Sequence, residues 1–303
     1  MGRGHPVIHP SVRLRELEQR ARRRFGQNFL VSEEAVDRIV RAASLQRTDR
    51  VLEIGPGLGV LTEQIRGSGA ALRCVELDRD LAAGLRQQWP DLDLVEGDAM
   101  RVDLPEICPP PGGWKVIANL PYNVATPLLL RFLAHPDIFS TMVLMFQREV
   151  GERIQAGPSH PSRGSLSVQV QVRARVRHVL TLPPGAFHPA PKVHSVVLGF
   201  ELLPEPDFGG VTARVFDRIV RLGFQHRRKT LLNSLGSGMM RVDAQAACDA
   251  AGVDARRRAE TLDLPEWRRL AAAVDAVRTT EASGDDAAEG EPDAAETDAE
   301  DEP

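Results

Sequence analysis

An α/β domain built on a parallel sheet, followed by a small helical domain, is the fold that these 303 residues predict. Three observations carry it. A short apolar strand at 50–54 runs into a glycine-rich loop and then into a helical pattern. A second strand ends on an acid, Glu76, about twenty residues later, as in nucleotide-binding α/β folds. After a Pro- and Gly-containing stretch at 203–210, only helical patterns remain, from 211 to 278.

Composition sets the outer limits. No apolar run is long enough to span a membrane. The N-terminus is polar and basic, without the apolar core of a secretory signal. Cys74, Cys108 and Cys248 lack metal-ligand spacing, and an odd count argues against a disulfide framework. The expected location is the cytoplasm. The net charge of −4 hides an asymmetry, because residues 281–303 hold eleven acids and no Lys or Arg; without them the remainder is +7. A basic globular part suits a phosphate-bearing partner.

Taken in order, residues 1–24 form a basic arm ending in Arg20, Arg22, Arg23 and Arg24, and such arms contact phosphates or remain solvated. Phe25-Gly26-Gln27-Asn28-Phe29-Leu30 precedes a helix that Ser32 caps and that Val36, Ile39, Val40 and Ala43 face inward. Gly55-Pro56-Gly57-Leu58-Gly59 follows the first long strand, and its glycines let backbone approach a nucleoside closely. The spacing is G-x-G-x-G, unlike the dinucleotide fingerprint. With Glu53 two residues ahead, it resembles the first motif of S-adenosylmethionine methyltransferases. Glu76, followed by Leu77-Asp78, accepts from ribose hydroxyls without distinguishing NAD from S-adenosylmethionine. A helix through Leu81 and Leu85 stops before Pro90. A third strand at 92–95 leads to Gly97-Asp98-Ala99-Met100, which suits either an adenine site or an ordinary loop. Residues 105–113 are expected to be a loop.

Trp114-Lys115-Val116-Ile117-Ala118 is the fourth strand. Pro121 ends it, since its ring fixes φ and pushes Leu120 out of the helical region. Asn119-Leu120-Pro121-Tyr122 then stands at the carboxyl end of a parallel strand, where ligands bind. An Asn oxygen and a nearby backbone carbonyl accept the two N–H bonds of an adenine amine, favouring a pyramidal nitrogen with its lone pair free. Tyr122 stacks on an extruded base. The same four residues also fit a strand, a Pro turn and a core aromatic.

A helix at 124–133 and a fifth strand at 141–146 follow, and Gln147-Arg148-Glu149-Val150 opens another helix. The segment at 165–172 reads as a helix, although its alternation also suits a strand. The Pro-rich loop 183–193 holds Phe187 either opposite Tyr122 across a base or packed into the core. The last strand spans 193–200. Beyond the linker, the Phe224–Thr230 run joins an aromatic to basic residues, and this domain offers an RNA-facing surface or a solvated bundle. The acidic low-complexity tail has the composition of a disordered segment.

Together and in order, Phe25–Leu30, Glu53–Gly59, Glu76-Leu77-Asp78, Gly97–Met100, Asn119–Tyr122, Phe187–Val193 and Phe224–Leu235 resemble the bacterial KsgA-type small-subunit rRNA adenine N6-dimethyltransferases, over about residues 20–275. The resemblance implies a Rossmann-like S-adenosylmethionine-dependent methyltransferase domain at 25–203, a small all-α RNA-contacting domain at 211–278 and a tail from 279. It implies a monomer acting on two adjacent adenosines of 16S rRNA within the 30S subunit. Catalytic roles fall on Asn119, Leu120, Pro121, Tyr122 and Phe187. Cofactor binding falls on Asn28, Leu30, Gly55, Gly57, Glu76, Leu77, Asp98, Ala99 and Asn119. No metal is implied. His226 and Ala190 depart from the expected Gln and Pro. The rivals are a large-subunit rRNA methyltransferase, an RNA-binding assembly factor without chemistry, and a nicotinamide dehydrogenase.

Overall fold

A computed structural model describes residues 28–288, with side chains as far as 277. The basic arm at 1–24, Phe25 to Gln27 and the tail at 289–303 lie outside them. The chain divides into two compact units between Pro206 and Asp207.

The first unit carries a seven-stranded sheet. Its strands are β2 (Arg50–Ile54), β3 (Ala71–Glu76), β4 (Asp93–Glu96), β5 (Trp114–Ala118), β6 (Phe139–Gln147), β7 (Ala174–Leu182) and β9 (Ser195–Leu202), in spatial order β4-β3-β2-β5-β6-β9-β7. Five strands run parallel, and β9 lies antiparallel to both β6 and β7. A dinucleotide-binding sheet of this kind is mostly parallel; here the last strand returns reversed and inserts second from the edge. Helices α1 (Glu33–Ala42), α2 (Val60–Gly67), α3 (Arg79–Gln88), α4 (Leu104–Ile107), α5 (Ala125–Leu133), α6 (Arg148–Gln155) and α7 (Ser165–Gln171) connect the strands. The 165–172 ambiguity is thus resolved in favour of a helix. The 105–113 stretch expected to be loop begins with α4, because Asp103 accepts from the Glu106 amide at 3.2 Å and caps one turn.

Alternation along the strands builds two cores. Leu52, Val116, Met142, Leu144 and Phe146 pack with Leu128, Leu129 and Phe132 of α5. Val51, Ile117, Val143 and Met145 pack with Val36 and Ile39 of α1 and Leu61 and Ile65 of α2. Both faces of β5 and β6 are therefore covered, which is why these central strands read as near-continuous apolar runs. A second, two-stranded sheet pairs β1 (Phe29–Leu30) antiparallel with β8 (Phe187–His188). The Val31 amide donates to Ala186 O at 2.9 Å and extends that contact.

The second unit holds α8 (Ala213–Gly223), α9 (Leu231–Leu235), α10 (Arg241–Ala251) and α11 (Leu264–Ala288). Phe216, Ile219, Cys248, Trp267 and Leu270 are buried, and Phe224 stacks on Trp267 with centroids 5.5 Å apart. A Cβ on Gly223 would lie 2.6 Å from the Trp267 ring, so the close approach requires glycine there. The turn from Gln225 to Lys229 is exposed. Helix α9 is too short to show a period in sequence. Helix α11 continues to Ala288, past the boundary at 278 where the acidic tail was expected to begin.

Candidate active site

Strand order reverses between β2 and β5, and the crevice at such a switch point is where open α/β sheets bind ligands. One cavity opens there. Its walls include Asn28, Phe29, Leu30, the Gly55–Leu58 loop, Glu76 and Leu77, Asp98 to Met100, and Asn119 to Tyr122. The motifs between Gly55 and Tyr122 meet because the four parallel strands β2 to β5 end on the same side.

The glycine loop leaves β2 with Gly55, Gly57 and Gly59 all at positive φ. An added Cβ at Gly55 would meet nothing within 4 Å, so the space over the loop is open to a ligand. Beneath the loop, Glu53 is 1% exposed. Its Oε2 accepts from Thr62 Oγ1 at 2.7 Å and from Cys74 Sγ at 3.6 Å, tying β2 to α2 and β3. Burial pushes its carboxyl up to about 7 against those two donors. It does not line the cavity, so its part is to support the loop.

Glu76 does reach the cavity. It is 5% exposed, and each oxygen takes one backbone amide: Gly57 at 3.1 Å and Asp78 at 2.9 Å. The carboxylate is thereby fixed at the end of β3 with lone pairs left over for ligand hydroxyls. Desolvation raises its pKa, and the two amides work against that. Leu77, 54% exposed, offers an apolar face beside it. Asp98 Oδ1 accepts from the Met100 amide at 2.8 Å, which shapes its loop. Arg131 of α5 donates to Ala99 O and Val102 O and clamps that loop from behind.

In the tetrad, the Leu120 side chain is buried in the core, so only its backbone faces the site. Pro121 O accepts from the Val124 amide at 3.0 Å. Asn119 Nδ2 donates to Asn28 O at 3.1 Å. That bond orients the amide and leaves Oδ1 without a protein partner among the described residues. Tyr122 lies half-buried on the wall, its hydroxyl 2.6 Å from Ser195 Oγ. Burial raises its phenol pKa, and the Ser195 bond opposes the rise.

Every site residue expected from sequence lines this cavity except Phe187. The sequence leaves two places open for Phe187, opposite Tyr122 across a base, as the family resemblance implies, or packed into the core. The structure takes the second: its side chain is 3% exposed in the core with Leu30, Leu182 and Val197. Pairing of β8 with β1 places it there and makes it a support for the Leu30 wall rather than a face of the cavity. Sequence reading missed Arg131 and Ser195. Neither carries a local signal, since their partners lie far away in the chain. No cluster of three metal-ligating side chains occurs among the described residues.

The donor set suits an adenosine-bearing cofactor: a glycine loop with open space, a fixed carboxylate, an apolar shelf and a second carboxylate on the next loop. A Rossmann-like methyltransferase is the class that this sheet order and cavity define. The chain belongs to the ribosomal RNA adenine dimethylase family, whose model matches residues 18–275. Ribosomal RNA small subunit methyltransferase A of Syntrophotalea carbinolica is 48% identical over 257 residues, covering 84% of this chain and 97% of the relative. The protein of that name from Pseudomonas putida is 44% identical over 262 residues, covering 84% and 96%. Among solved structures, a Plasmodium falciparum dimethyladenosine transferase shares the fold with a TM-score of 0.68 at 23% identity, covering 82% of this chain and 98% of the other. The 23S rRNA methyltransferase ErmE has a TM-score of 0.64 at 25% identity, covering 82% and 100%.

Proposed function

We propose that this chain dimethylates N6 of two adjacent adenosines in the 3′-terminal hairpin of 16S rRNA, acting as a monomer in the cytoplasm on the 30S subunit late in its assembly. The observation that carries the reading is the Asn119 amide, tethered by Nδ2 to Asn28 O so that its oxygen is presented to the cavity. The small-subunit substrate is supported by the 48% identity to a protein named for that subunit.

S-adenosylmethionine, when bound, supplies an electrophilic methyl on a charged sulfur. Glu76 takes the ribose hydroxyls, Asp98 the adenine amine, and Leu77 and Met100 the flat faces. Gly55 and Gly57 let the backbone close on the methionine end. Asn119 Oδ1 and Leu120 O accept the two N–H bonds of the target amine. A nitrogen held this way is pyramidal, with its lone pair directed at the electrophile. Tyr122 stacks on the extruded base. Among the described residues no paired acid and base stand at the amine, and the reaction needs none, because methylation itself acidifies the nitrogen and its proton passes to water. Orientation and desolvation lower the barrier. The second methylation requires that the same acceptors hold a secondary amine, so one acceptor goes unused in that round.

Methylation of under-methylated 30S subunits with labelled cofactor, followed by mass mapping, tests the reading. Label should appear as dimethyladenosine at two neighbouring positions of 16S rRNA. Label confined to 23S rRNA, or none, would reject it. Asn119→Ala should keep RNA affinity and lose most methyl transfer, and incorporation near the wild-type level would remove that residue from the mechanism.

A further inference from the structure

Ser195 opens β9 in the interior of the sheet, paired with Gln147 of β6 on one side and Leu182 of β7 on the other. Its side chain is 0% exposed, and a buried hydroxyl is costly unless it is bonded. Its partner is the Tyr122 hydroxyl, at 2.6 Å. The tyrosine, by contrast, sits on an irregular turn after Pro121 and lines the cavity. A ring on such a turn has two side-chain torsions to settle. A bond at the far end of the ring, made to a strand held on both sides, fixes where that end sits and so settles the first torsion; the hydroxyl lies on the axis of the second, which the bond restrains only through its preference for the ring plane.

We propose that Ser195 is a positioning residue for the methyl transfer: its hydroxyl fixes the direction and reach of the Tyr122 ring against which the target adenine stacks. The inference rests on the reading of Tyr122 as the stacking wall of the base site. Ser195 does not line the cavity, so it acts only through Tyr122 and leaves cofactor binding alone. Small misplacements of a reacting group are expensive in rate. One side-chain hydrogen bond of this kind biases the ring enough for about a five- to tenfold effect.

Tyr122 is the single tyrosine of the chain, so labelling with 3-fluorotyrosine gives one fluorine resonance that reports this ring alone. Ser195→Ala is expected to shift and broaden that line in the free protein. In single-turnover methylation of under-methylated 30S subunits, it should lower the rate about five- to tenfold, with cofactor affinity by calorimetry unchanged. Tyr122→Phe removes the same bond from the cavity side and keeps the Ser195 side chain, and should lose rate to the same extent. The double variant should be no slower than either single one, because both delete one interaction. Losses that multiply, an unmoved fluorine line, or a wild-type rate per folded molecule in Ser195→Ala would overturn the proposal. If Ser195→Ala fails to fold, a wild-type rate in Tyr122→Phe does so. An inactive wild-type enzyme would instead strike the functional reading, so the two failures are separable.

Discussion

Glu53 makes stability and pH meet beneath the cofactor loop. It is buried, bonded to Thr62 and Cys74, and close enough to Glu76 to feel its charge. Burial dominates and raises its carboxyl from 4.5 to about 7. The same burial pushes the Cys74 thiol up, so that it stays protonated and donates. The folded state therefore holds the Glu53 proton more tightly than the unfolded chain does. Its contribution to stability is complete below pH 4.5 and is lost as the pH rises through about 7. The gap between the two values corresponds to about 3 kcal/mol. Glu53→Gln keeps the shape and an oxygen for Thr62, and does not titrate. Between pH 4.5 and 8, the wild-type protein should lose about 3 kcal/mol relative to Glu53→Gln. Native-state hydrogen exchange of the β2 and β3 amides reads this locally, and intrinsic exchange rates cancel in the difference. Parallel pH profiles for the two proteins would refute the argument, and a gap of opposite sign would mean that the two donors outweigh burial.

Other expectations follow from single contacts. Arg131→Met frees the Ala99 and Val102 carbonyls while keeping helix α5; the KM for S-adenosylmethionine should rise several-fold with kcat nearly unchanged, and steady-state kinetics checks both. Gly55→Ala places a Cβ in the open space over the loop at a φ of +64°. It should cost about 1–2 kcal/mol of stability and weaken cofactor binding at least tenfold by calorimetry; wild-type affinity would place the ligand elsewhere. Gly223→Ala forces a methyl against Trp267 and should destabilise the helical unit by about 1–3 kcal/mol, seen as a lower thermal midpoint in the Trp fluorescence.

Local chemistry in the chain was enough to locate most of the site. Glycine spacing, an acid closing a strand and a Pro that stops another are short-range signals. They placed Gly55, Glu76, Asp98 and Asn119 at strand ends, and a parallel sheet brings such ends together. Strand β5 was legible to the residue, because Trp114 to Ala118 is bounded by Gly113 and by the Pro121 turn. The end of α11 was not, since the helix runs on to Ala288 through a composition that reads as tail.

Long-range pairing decided the rest. Insertion of β9 between β6 and β7, and the pairing of β1 with β8 across more than 150 residues, depend on which edges find each other in three dimensions. Periodicity within a segment carries no record of its partner. That pairing turned Phe187 inward, and it brought Asn28 O to Asn119 and Ser195 to Tyr122. The amino-acid sequence by itself determined which groups could do the chemistry. Only the tertiary structure decided which of them are held still, because a side chain's freedom is removed by neighbours remote in the chain.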